Sequence, residues 1–145
     1  MSTCSFFGHS VCPESIQPKL KTEIENLINN HNVKDFLLGD HGKFDVLVLK
    51  TIKELSSVYD IQYKVVLSYM PQSYSYFGTD CNSVYMEEMA SVHKKFAIEF
   101  RNNYLVKNCD YFITYITHSY GGAAKFAKKA QSKNKVVINL TNYLI

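Results

Sequence analysis

The run Thr117-His118-Ser119-Tyr120-Gly121-Gly122-Ala123 holds the groups best suited to chemistry in this chain. An aromatic and β-branched stretch, residues 111–117, precedes the glycines and favours a strand. An Ala- and Lys-rich stretch, residues 122–132, follows them and favours a helix. A helix that opens on a tight glycine turn leaves its first N–H groups unpaired, with the positive end of its dipole beside them. Glycine also lets a phosphate approach the backbone closely. Gly121, Gly122 and Ala123 are therefore expected to cradle a phosphate, with Ser119 and Lys125 as added contacts. A plain turn is the alternative reading, and a glycine pair between a parallel strand and a helix favours the phosphate.

Other residues can join that site. Arg101 is the sole arginine. Arginine forms forked hydrogen bonds to phosphate or carboxylate that lysine replaces poorly, although a surface helix charge reads as well from sequence alone. Gly8-His9 and His118 follow two different strands, and both histidines can donate to phosphate, shuttle a proton or bond backbone in a turn. Asp40 suits ribose hydroxyls, or equally a helix cap. Asp45 falls just inside the next helix, where a carboxylate suits the dipole. Tyr69, Tyr74, Tyr76 and Tyr120 can stack a base or simply pack. The Lys cluster near the C-terminus, Lys125 to Lys135, reads first as a solvated face.

These residues need elements to hold them. A short apolar run at 3–7 predicts a first strand ending at Gly8. Pro13, Glu14 and the spacing of Ile16, Leu20, Ile24, Leu27 and Ile28 predict a helix over 13–30. A second strand is expected at 35–38, with a second helix from Phe44 to near Tyr59. The near-continuous apolar run at 62–70 fits a strand buried on both faces. Residues 71–92 read as a long functional loop, able to act as a lid, with one short helix at 84–90. A third helix is expected at 94–107, with Phe96, Phe100 and Tyr104 along one stripe. The last strand is expected at 135–140. Strands alternating with helices imply an α/β fold with a parallel sheet. The expectation is a single three-layer, Rossmann-like domain over 1–145, with five strands in the order 3-2-1-4-5. Ligands bind such sheets where the order reverses, beyond the carboxyl ends of the strands. The loops there are Gly8-His9-Ser10 and His118 to Gly122.

The length, 145 residues, suits one compact domain. A net charge of +3 fits a small anionic ligand and is too weak to argue for nucleic acid alone. Cys4, Cys12, Cys81 and Cys109 form no Cys-x-x-Cys pair, and the histidines lack zinc spacing, so no metal or cofactor is called for. Cys4 and Cys109 sit at the starts of apolar runs and read as buried thiols. A reduced cytoplasmic protein is the simplest expectation. No basic segment followed by an apolar one opens the chain, and no apolar run approaches the ~20 residues of a spanning helix.

Gly-x-Gly-x-x-Gly after the first strand and the Walker lysine motif are both missing. Instead, four segments resemble the SLOG superfamily, the Rossmann-like group of the LONELY GUY phosphoribohydrolases and of DprA-like domains. They are Phe6-Phe7-Gly8-His9, Gly39-Asp40-His41-Gly42-Lys43-Phe44-Asp45, Arg101-Asn102, and Thr117 to Ala123. The small bacterial members look most similar. The resemblance covers nearly the whole chain and implies a nucleotide or nucleotide-derived ligand carrying ribose phosphate. It also implies a sensor or sequestering protein, and association into a homo-oligomer. Arg101 matches the arginine of the LONELY GUY pattern, and Gly121-Gly122 match its paired glycines. Tyr120, Ala124 and Lys125 depart from it, and Lys128 stands where a catalytic glutamate is expected. Cleaving an N-glycosidic bond needs a carboxylate to stabilise the sugar cation or activate water. A nucleoside-monophosphate phosphoribohydrolase, or another N-glycoside hydrolase, would have to draw it from Asp40, Asp45 or Glu99. Nucleic-acid binding through the Lys face is a third reading, disfavoured by the small net charge.

Overall fold

The computed structural model describes residues 2–68, 82–93 and 96–145. Six parallel strands form one sheet: β1 (Ser2–Gly8), β2 (Val33–Leu38), β3 (Gln62–Val66), β4 (Ser83–Val84), β5 (Tyr111–Tyr115) and β6 (Val136–Asn139), in the order β4-β3-β2-β1-β5-β6. The five strands expected from sequence lie in the expected order. The expected count of five is corrected to six. The added strand is two residues long and pairs with the outer edge of β3. So short a strand shows no alternation, which is why Val84 read as the start of a helix. The short helix there is a single 3-10 segment, Glu87–Ser91.

Among the described residues four α-helices cover the sheet: α1 (Gln17–His31), α2 (Lys43–Ser56), α3 (Ala97–Asn108) and α4 (Gly122–Ser132). β1 lies at the centre and is buried along Cys4 to Phe7. Successive strand side chains point to opposite faces, so Phe6 and Phe7 found two cores. Phe6 packs with Phe36 and with Leu20, Ile24 and Phe44 of α1 and α2. Phe7 stacks on Phe112 at 5.2 Å between ring centres and meets Phe126 of α4 and Leu105 of α3. The first two crossovers therefore lie on one face and the last two on the other, and the change of face falls between β1 and β5.

Helix α3 departs from its apolar stripe. Phe96, Phe100 and Tyr104 lie on its outer side, at 52%, 37% and 37% exposure, while Ala97, Arg101, Asn102, Leu105 and Val106 face inward. Burying an arginine and an asparagine inverts the pattern from which an inward face is normally read. Lys94, Tyr69, Tyr74, Tyr76, Cys81 and residues 71–81 of the lid expected over 71–92 lie outside the described residues. Cys4 and Cys109 are buried free thiols, as is Cys12.

Candidate functional site

A cleft of about 700 Å³ opens above the carboxyl ends of β1, β2 and β5. Its walls are built by the loops after these strands, and two helix N-termini point toward it. They differ in one respect. At α2 the start is closed. Gly42 has φ +91°, the Lys43 N–H donates to Ser10 O at 2.8 Å, and a Cβ on Gly42 would lie 2.7 Å from Ser10 Cα. At α4 the start is open. Gly121 has φ +94°, no side chain caps the helix, and a Cβ on Gly121 or Gly122 would meet nothing within 4 Å. The first bond of α4 runs from Lys125 N–H to Gly121 O. The N–H groups of Gly122, Ala123 and Ala124 come before it and have no partner within the helix.

Aromatic rings form one wall. His9 stacks on His118 at 3.8 Å, and His118 stacks on Tyr120 at 3.8 Å. Thr117 N–H donates to His9 Nε2 at 3.0 Å, so the neutral His9 ring carries its proton on Nδ1. His118 Nδ1 lies 3.0 Å from Tyr120 O. Burial holds the His9 pKa below the usual histidine value, and the nearby His118 adds to this. Burial likewise raises the Tyr115 hydroxyl, with Cys12 adding to it. The outer face of the column is free to solvent, since Tyr120 is 71% exposed. Asn139, at the end of β6, holds the exit of β5 by accepting from Ile116 N–H and donating to Ile116 O, both at 3.0 Å.

The floor is charged and buried. Asp40 accepts from Ser68 N–H at 2.8 Å, from the Ser68 hydroxyl at 2.9 Å and from Arg101 Nη1 at 2.6 Å. Arg101 also donates from Nη1 to Val66 O and from Nε to Asn102 Oδ1. Its guanidinium ties α3 to the ends of β2 and β3. Asp45 lies beside this pair. Its Oδ2 accepts the His41 N–H at 3.0 Å. Its Oδ1 has no hydrogen-bond partner among the described residues and opens on the cleft that Asp45 lines. Burial pushes the Asp45 carboxyl up to about 6, Arg101 and the His41 bond pull it down, and the Asp40 charge adds to the rise. Gly39 makes room for the group. A Cβ there would lie 2.6 Å from Asp45 Oδ2 and 3.2 Å from the Arg101 guanidinium.

The whole chain superimposes on the X-ray structure of DNA processing protein A (DprA) from Streptococcus pneumoniae, with a TM-score of 0.71 and 13% sequence identity. The fold is DprA-like and Rossmann-like. The chain spans 52% of the length of that DprA chain. No family model matches the sequence, and no curated protein matches it. Among the described residues, no helix is long and apolar enough to cross a membrane, and no group of three or more His, Cys, Asp or Glu could hold a metal ion.

Within this DprA-like frame the structure brings together Gly8, His9, Asp45, Arg101, His118, Gly121, Gly122 and Ala123, which all line the cleft. Asp40 lies beneath the lining, bonded to Arg101 and Ser68. Lys125 and Glu99 pair with each other at 3.5 Å on the exposed surface, away from the lining. Ser119 and Lys128 are exposed and also outside it. Tyr115 and Ile98 line the cleft without having been singled out, and Thr117 and Asn102 line it from within the segments that carry the resemblance. Asn102 sits next to the lone arginine. Tyr115 and Ile98 carry no local signal, because only the fold brings them to the opening.

Proposed function

We propose that this chain binds a nucleotide or nucleotide-derived ligand through its phosphate, as a sensor or sequestering protein. The observation that carries the reading is the uncapped start of α4, where Gly122 and Ala123 present free N–H groups to a cleft large enough for such a ligand. His9 and His118 border the same space, and the Arg101 charge lies in its floor. The exposed face of Tyr120, at the end of a three-ring column, suits stacking of a base. Ser119 and Lys125 stand outside the opening, where a longer ligand would meet them.

A thermal-shift screen against nucleoside phosphates, ADP-ribose, NAD and cyclic nucleotides tests this, with each hit followed by chromatography for breakdown products. A ligand bound only by the folded chain raises the melting temperature by mass action. Gly122→Asp places a carboxylate at the seat and should abolish that rise. No shift with any probe, or an undiminished shift in the variant, would overturn the reading.

A second reading, N-glycoside hydrolysis, draws on Asp45. Its carboxyl, at about 6, can exchange a proton near neutral pH and faces the cleft. Release of free base in the chromatography would favour it. Nucleic-acid binding draws on the likeness to a protein named for DNA processing and on the exposed Lys128 and Lys133. A mobility shift that weakens steeply with salt would be its sign.

A further inference from the structure

We infer that Asp45 is a sugar-reading group: it accepts hydrogen bonds from vicinal hydroxyls of the ligand, so the cleft selects ribose phosphates over 2-deoxyribose phosphates. This rests on the phosphate seat proposed above. Asp45 is more than nine-tenths buried, yet Oδ1 lacks a partner and opens on the cleft. Because no buried side-chain acceptor among the described residues is left unbonded, Oδ1 reaches the cleft itself, where a donor on a ligand can take the place of water.

The charges around Asp45 constrain the donor. It is not another anion, because Asp45 and Asp40 lie together and the Arg101 charge is already paired with Asp40. The Arg101 guanidinium borders the same spot over Gly39 but is paired with Asp40, so the free acceptor there is that of Asp45. Neutral hydroxyls of a sugar meet this condition. The phosphate must then sit away from Asp45, at α4.

The spacing agrees with this orientation. The Asp45 carboxyl lies over Gly39 at the end of β2, and α4 begins beyond β5. β2 and β5 are both neighbours of β1 and so are two strand spacings apart, roughly 10 Å. A sugar phosphate bridges that interval, whereas inorganic phosphate reaches only the seat.

Calorimetric titration with inorganic phosphate, ribose 5-phosphate and 2-deoxyribose 5-phosphate tests the assignment, on the wild type and on Asp45→Asn. The asparagine oxygen can still accept the His41 N–H, which turns the cleft-facing atom from an acceptor into a donor. Ribose 5-phosphate should bind the wild type about tenfold or more tightly than its 2-deoxy form. Asp45→Asn should lose that preference while binding inorganic phosphate as the wild type does, which also shows that the variant is folded. Equal binding of the two sugar phosphates by the wild type, with inorganic phosphate bound, overturns the role of Asp45 and leaves the seat standing. So does a preference that survives in Asp45→Asn. Failure of all three probes overturns the seat, and the sugar-reading role with it.

Discussion

Asp45→Asn should make the protein more stable at neutral pH. The aspartate holds its proton up to about 6, against an ordinary value of 3.8. Between these pH values the folded protein keeps a proton that the unfolded chain has lost. Stability therefore falls as pH rises through this window, and the penalty is complete above about 6. A gap of about two pH units at 1.36 kcal/mol each amounts to ~3 kcal/mol. Asparagine has nearly the same shape, can keep the bond from His41 N–H and has no charge to bury. Urea unfolding of both proteins from pH 4 to pH 8 reads the difference directly, because all other titrating groups cancel. The variant should match the wild type near pH 4 and exceed it by ~2–3 kcal/mol at pH 7 and above. A difference independent of pH, or a variant weaker at pH 7, would refute the placement of Asp45 as a buried ionising group. A protein that keeps such a group against its own stability usually does so for function.

Three further outcomes follow from the same geometry. Gly8→Ala should lower stability by about 1–3 kcal/mol or more, since its Cβ would lie 2.2 Å from the fully buried Phe44 ring. Gly122→Ala meets open space and should be neutral, or up to ~1 kcal/mol more stable, in the same urea assay. Arg101→Met strands the Asp40 charge in the interior and should cost about 3–5 kcal/mol, and Asp40→Asn in the same chain should recover much of it. If the double variant is no more stable than Arg101→Met alone, the pair is not what Arg101 holds.

The main strands were legible because each is a compact apolar run, and β1, β2, β3, β5 and β6 all lie where such runs occur. Their order followed from the alternation with helices. What stayed hidden was whatever the apolar pattern does not encode. β4 owes its existence to the neighbouring edge of β3 and not to its two residues. The outward turn of Phe96, Phe100 and Tyr104 follows from Arg101, which is drawn inward by Asp40 and Val66 O. At the site, the glycine pair and the two histidines were visible as types at a strand end. The division of labour between Asp40 and Asp45 was not, because both follow β2 within a few residues and only the packing decides which one is sealed beneath the lining. Lys125 and Glu99 were visible as charges, and their pairing away from the cleft needed the helix positions.

The open space around Gly122 separates two kinds of selection. Gly8 is held by the core and Gly121 by its backbone angle, so a lineage that changed either would lose folded protein before it lost any ligand. Gly122 has neither restraint. Drift there is silent to folding, abundance and solubility, and only the demand to bind something at the start of α4 can oppose it. Descendants that abandon the ligand should therefore lose this glycine early while the rest of the fold stays intact. The identity of one residue becomes a record of whether the cleft is still in use.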